Sequence, residues 1–325
     1  MIKRVYLDTN HWIKLAQIAS GKENDHEYKK TFEKIKSLSD SEKIIFPISA
    51  SHVHELTRHS NQQKREEIID LLVDISKGWF LQPVDLFFGK EIENTIMHRL
   101  KRNSLHNIHN EILKKGLSYF CGMNFDKFIK TKNPPLEWMD VIRTSFKDFN
   151  ENLEVIKRNL KDPKIVEISI DALSVNHKLI LLLEKNRENK RKMDKDVRKR
   201  FSEASIMIDC VVPHMAEFLY TNQIPAEDVF SLQTVEEMRS FMDDMPALNV
   251  FFRLTYARDE VSPQRKIQPS DIWDLNHFAG AIPYCDVLVT EKMFAGLSKQ
   301  NNLDKKYNCI ILTDLKDLRR LEPFS

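Results

Sequence analysis

The chain has 325 residues, 42% apolar and 30% charged, with 50 Lys and Arg against 48 Asp and Glu. That length suits one elaborated domain or two with a sizeable core, and so even a charge balance says little about partners, leaving any nucleic-acid signal to local patches. Four scattered cysteines with no CxxC pair, no secretory leader and no apolar run of membrane-spanning length argue against a disulfide scaffold, a zinc site and a membrane protein, and predict a cytoplasmic one.

Only 7 glycines and long stretches of 3.6-residue periodicity predict a mostly helical protein. In chain order, a short apolar strand is expected over residues 2–7, helices over 12–18 and 27–38, and a second strand over 43–48. Helices follow over 51–59 and 63–75. From 83 to 245 the patterning is helical with few convincing strands, as an insertion or second subdomain would show. A helix over 271–281, with Pro269 and Ser270 as its start signal, then leads into strands over 286–290 and 309–313 and a closing helix over 316–321. Strands alternating with helices at both ends imply an α/β protein with a central parallel sheet, its core formed by 1–82 and 246–325.

Within the helical stretch, EKNRENKRKMDKDVRKR (184–200) holds nine basic and four acidic residues. Lys190, Arg191, Lys192, Arg198, Lys199 and Arg200 are its candidate contacts to nucleic-acid phosphates, with a solvated helix or loop as the plainer alternative.

The acidic residues carry the chemistry. Asp8 ends the first strand in VYLDTNHW, where a carboxylate loses solvation and needs donors, a cation or water. Glu55 falls in the first turns of the helix after KIIFPIS, Asp274 lies one turn beyond Asp271 in DIWDLNHF, and Asp286 and Glu291 bracket DVLVTE. In an open parallel sheet, ligands bind where strand C-termini meet the helices that follow, which places Asp8, Glu55 and Glu291 on that edge. Asp286 belongs at the opposite end unless its strand is short, and the position of Asp274 depends on how its helix packs. Converging carboxylates repel unless cations neutralise them, and all-oxygen ligation favours Mg²⁺ or Mn²⁺, ions suited to phosphodiester hydrolysis. Asp271 is well suited to helix capping, and capping is the plainer alternative for Asp8. His11, His52, His54, His59 and His277 neighbour these acids in sequence and are left as packing or surface residues.

LDTNHW, PISASHVHEL and DLNHFAGAIPYCDVLVTEKMF together resemble a PIN domain, the fold of many metal-dependent ribonucleases, over about half the chain. The resemblance implies a PIN-like three-layer core, with Asp8, Glu55 and Asp274 as catalytic, metal-binding acids and Asn10 and Thr290 in support. In the common pattern a fourth aspartate stands two residues past the threonine; here that position is Lys292, leaving Glu291 or Asp286 to substitute. The implied activity is a Mg²⁺- or Mn²⁺-dependent endoribonuclease, with the insertion available for a homo-oligomer or a regulatory partner. A deoxyribonuclease using the same metals and a catalytically silent RNA- or protein-binding module are the alternatives. Aspartyl-phosphate chemistry of the haloacid dehalogenase kind is disfavoured, because it needs an aspartate at position 10, which is Asn.

Overall fold

Strand β1 (Lys3–Leu7) lies inside a four-stranded, all-parallel sheet. On one flank it pairs with β2 (Ile44–Ile45); on the other it pairs with β5 (Val287–Val289), which in turn pairs with β6 (Ile310–Leu312). A separate antiparallel pair joins β3 (Trp79–Leu81) to β4 (Leu113–Lys115). This computed structural model describes residues 3–57, 60–123, 125–162, 164, 172–229, 234–261 and 263–324. Residue 2 of the expected first strand and residues 58 and 59 of the expected third helix, His59 among them, lie outside the described residues.

The helices that matter for the site are α1 (Thr9–Ala19), α2 (His26–Asp40), α3 (Ala50–Thr57) and α4 (Gln62–Ser76) on the N-terminal side. The intervening stretch includes α5 (Phe88–Arg99), α6 (Met139–Glu151), α7 (Leu153–Lys161), α8 (Ala172–Lys190), α9 (Lys195–Ile206) and α10 (Val212–Thr221). Helices α11 (Pro246–Val261), α12 (Pro269–Tyr284) and α13 (Lys292–Gln300) follow it. The closing segment 315–320 is a 3₁₀ helix.

Alternation along the strands explains the layering. Val5, Leu7, Val287 and Val289 enter one buried cluster with Trp12, Leu15, Ile35 and Leu72 from α1, α2 and α4. Tyr6, Leu288 and Ile311 enter a second with Leu254, Leu275 and Phe278 from α11 and α12. A strand whose side chains alternate between two apolar faces requires helices on both, which is the arrangement found. Helix α1 meets this demand by placing Trp12, Leu15 and Ile18 at three-residue spacing on one side, and it ends where Gly21 turns the chain at a φ of 72°.

The insertion does not stand apart. Ile156 and Leu160 of α7 join the first cluster, while Met215 and Leu219 of α10 join the second. Nor is it wholly helical, because β4 lies within it and pairs with β3 in the register Phe80↔Lys114. Three-residue strands are too short to show a period of two in sequence. Among the described residues no helix is long and apolar enough to cross a membrane.

Glu91 of α5 ties three helices together on the second face. It is almost fully buried and accepts from the amides of Ala247 (3.0 Å) and Leu248 (3.4 Å) at the start of α11, and from the Tyr284 hydroxyl at the end of α12. Burial raises its carboxyl from 4.5 to about 7, against the pull of those donors. The folded chain thus keeps a proton that the unfolded chain releases; the associated stabilisation is complete below about pH 4.5 and is lost as pH rises through about 7. Urea melts between about pH 5 and about pH 8 should show wild type losing roughly 3 kcal/mol relative to Glu91→Gln. Parallel stability curves for the two proteins would contradict this role.

Candidate active site

The sheet order reverses its growth at β1: β2 is added on one flank, β5 and β6 on the other. Loops leaving two strands at such a point diverge and open a crevice over their C-terminal ends. Asp8 stands there. Its amide donates to the Val289 carbonyl at 2.9 Å, so strand pairing continues up to this residue. One carboxylate oxygen accepts from the Thr9 amide at 2.7 Å, making Asp8 the N-cap of α1, and the other accepts from the Thr290 hydroxyl at 3.2 Å. Capping and site placement therefore coincide, and the positive end of α1 favours the anion.

The stretch Ser51-His52-Val53-His54-Glu55 brings α3 to the same edge, three of its side chains each gripping a neighbour. His52 is fully buried; its Nε2 donates to the Leu7 carbonyl at 2.7 Å and its Nδ1 accepts from the Ser49 amide at 3.0 Å. One imidazole thus fixes the residue before Asp8 to the start of the helix that carries Glu55. The Ser51 hydroxyl donates to the Trp273 carbonyl at 2.9 Å, and His54 stacks on the Trp273 ring at 4.6 Å. Glu55 and Asp274 immediately follow these two stacked residues in sequence.

The electrostatics record the convergence. Burial pushes the Asp274 carboxyl from 3.8 to about 8, reinforced in order by Glu55, Asp8, Glu291 and Asp271. Glu291, exposed at the start of α13, is raised by burial of its carboxyl and by Asp8, with Arg265 opposing. Beneath Asp8, Tyr6 lies between His52 (5.0 Å) and His277 (5.3 Å) in a nearly parallel stack. Burial lowers both imidazoles to about 3, so the floor of the site is neutral.

Other expected residues are placed differently. Asn10 is exposed in the first turn of α1. Asp286 accepts from the Arg4 amide at 2.7 Å, at the opposite end of the sheet. Asp8 lies four residue steps beyond Arg4, about 13 Å at the usual strand rise, so Asp286 does not join the other acids. Asp271 accepts from the Gln268 amide at 2.7 Å and serves as a helix-start residue. In the basic segment, Lys190 is buried 3.5 Å from Asp259 and Arg198 forms a two-pronged pair with Glu260 at 3.1 Å, so neither is available for phosphate. Arg191, Lys192, Lys199 and Arg200 remain exposed.

Two neighbours were not in the expected set. Asp314 follows β6 on the same edge, accepting from the Lys316 amide at 2.9 Å and the Tyr28 hydroxyl at 3.2 Å. His11 sits within the field of Asp8 and Asp314, and burial lowers its pKa below the usual value. The ILTD sequence at 311–314 repeats the strand-then-aspartate pattern of VYLD and is the signal that marks Asp314.

Among the described residues no three His, Cys, Asp or Glu side chains already form a metal-ligand group. The donor chemistry nevertheless fits a hard divalent cation: carboxylates lie close enough to raise Asp274 and Glu291, and the half-buried His11 beside Asp8 is held toward its neutral form. No protein-family profile, curated protein or solved structure matches the chain.

A carboxyl held at about 8 weakens the fold. Asp274 retains a proton that the unfolded chain releases above about 3.8, so its stabilising contribution is lost as pH rises through about 8. In chelator at about pH 7, Asp274→Asn is expected to be more stable than wild type by roughly 2 to 4 kcal/mol, measured by denaturant melts. A less stable variant would show that the carboxylate is not under this electrostatic load.

Proposed function

We propose that the chain is a PIN-like, divalent-metal-dependent endoribonuclease that hydrolyses phosphodiester bonds in RNA at the acidic edge. The observation that carries the reading is Asp274, on which the leading influences after burial are four carboxylates. A site so arranged lacks positive charge, and a Mg²⁺ or Mn²⁺ ion supplies it. Asp8, Glu55 and Asp274 would hold the ion, with Glu291 as a further oxygen donor. When bound, such an ion activates water and neutralises charge developing on the phosphate.

The chain's own residues have separate tasks. Thr290 and the Thr9 amide orient the two oxygens of Asp8. Ser51, His52 and His54 hold α3 against β1 and α12. His52 and His277, kept neutral by burial, add no charge that would compete with a cation. The preference for RNA rests on the resemblance of the three motifs to PIN domains, since recognition of 2′-hydroxyls distinguishes RNA from DNA. A cytoplasmic location agrees with Cys121, Cys210, Cys285 and Cys309 all being unbridged.

Lys292 favours a second reading, a catalytically silent module that binds RNA or protein, because it places an ammonium where the resembled pattern has an aspartate. Calorimetric titration with Mn²⁺ and cleavage assays on matched RNA and DNA oligonucleotides separate the two. Wild type is expected to bind Mn²⁺ and cut RNA, while Asp8→Asn, Glu55→Gln and Asp274→Asn each lower cleavage by at least about a hundredfold, in line with the several kcal/mol a catalytic metal contributes. Asp286→Asn should leave both properties near wild type. Absence of Mn²⁺ binding would favour the silent module, and equal or faster cutting of DNA would replace the RNA assignment.

A further inference from the structure

The insertion reaches the acidic edge through the segment that joins α11 to α12. Helix α8 holds that segment by its backbone: Arg187 donates to the Arg265 carbonyl, and Glu184 accepts from the Ile267 amide at 2.5 Å. Arg187 is itself anchored to Asp259 of α11 at 2.7 Å. The main chain at 265–267 is thereby fixed from the insertion, while the Arg265 side chain stays 49% exposed.

That side chain lies at the rim of the site. Its Nη2 donates to Asp271 Oδ1 at 2.7 Å, one helical turn before Asp274. It is also the cation that opposes Asp8 in acting on Glu291. Asp271 does not depend on this contact, because its Oδ2 accepts from the Gln268 amide at 2.7 Å and lies 3.8 Å from the buried guanidinium of Arg258. Arg265 can therefore leave Asp271 without stranding a buried anion. A guanidinium presents five N–H donors in a planar fork matched to phosphate oxygens, which an ammonium cannot reproduce.

We infer that Arg265 is a substrate-binding residue that grips a backbone phosphate of the nucleic acid at the acidic edge, held in place from the insertion by Arg187 and Glu184. This assignment rests on the nuclease reading and gives the insertion a task within it. An edge built from carboxylates repels a polyanion, and the insertion fixes the main chain that carries a cation to its rim. The basic segment contributes by structure as well as by charge, since Lys190 shares Asp259 with Arg187.

The test is steady-state cleavage of a fluorescent single-stranded RNA in Mn²⁺ across a series of salt concentrations. It compares wild type with Arg265→Ala, Arg265→Lys and a control, Arg143→Ala, on the exposed surface of α6. Arg265→Ala is expected to raise KM about tenfold with kcat within about twofold, the mark of a charge-assisted contact made equally in ground and transition states. The slope of log(kcat/KM) against log[salt] should become shallower by about 0.7, as expected for one phosphate contact to a single strand. Arg265→Lys should restore the slope and only part of KM, and Arg143→Ala should change neither. Unchanged KM and slope in Arg265→Ala, in a preparation whose wild type cleaves, would overturn this assignment and leave the nuclease reading intact. A collapse of kcat with a lowered melting temperature and an unchanged salt slope would also overturn it, showing a purely structural arginine. Wild type that neither binds Mn²⁺ nor cleaves RNA overturns both proposals together.

Discussion

The pairing of β1 with β5, carried up to the Asp8 amide and the Val289 carbonyl, is the constraint on which the remaining structure depends. It joins residues 282 positions apart in sequence, as the Thr290–Asp8 hydrogen bond records. Closing so long a loop costs roughly 5 kcal/mol by logarithmic scaling. Burial of Val5, Leu7, Val287 and Val289 offsets it, each contributing about 1.5 to 3 kcal/mol. The same pairing sets the growth reversal of the sheet and so decides where a crevice can open. Without it, Asp8 and Thr290 would have no reason to meet.

What surrounds Asp8 reads as a trade between stability and chemistry. Buried aromatic and imidazole rings pack the floor, hydrogen bonds from Thr9 and Thr290 hold one carboxylate, and α3 is fixed by Ser51, His52 and His54. Against this rigid frame, Asp274 carries a charge conflict that a purely structural site would remove by substitution. Proteins keep such local costs where function requires them. The nearby cations lie outside the conflict: Arg187 and Lys190 of the insertion, with Arg258 of α11, surround Asp259, and Arg265 stands at the rim.

Much of this frame is legible in the sequence, for definite reasons. The four strands of the main sheet are apolar runs bounded by polar residues, and each occurs within its expected span. The second is cut to Ile44–Ile45, for Pro47 lacks an amide to continue the ladder; Ile48 beyond it bridges to Phe80 instead. The β3–β4 pair is not legible, since WFL and LKK are too short to declare a period. Helix packing also lies beyond the sequence: that Asp274 feels the charge of Glu55 follows from Ser51 and His54 gripping Trp273, contacts spanning more than 200 residues. A count of charges over 184–200 likewise could not reveal Asp259 and Glu260, more than 60 residues on, which occupy Lys190 and Arg198.

The most direct test of the central claim, that this edge is a divalent-cation site, is anomalous diffraction from crystals of the protein soaked in Mn²⁺. The expected result is a peak bounded by the carboxylates of Asp8 and Asp274, with Glu55 or Glu291 completing the shell and none near Asp286. A map without density at the edge under saturating Mn²⁺, or with its peak at the opposite end of the sheet, would contradict it.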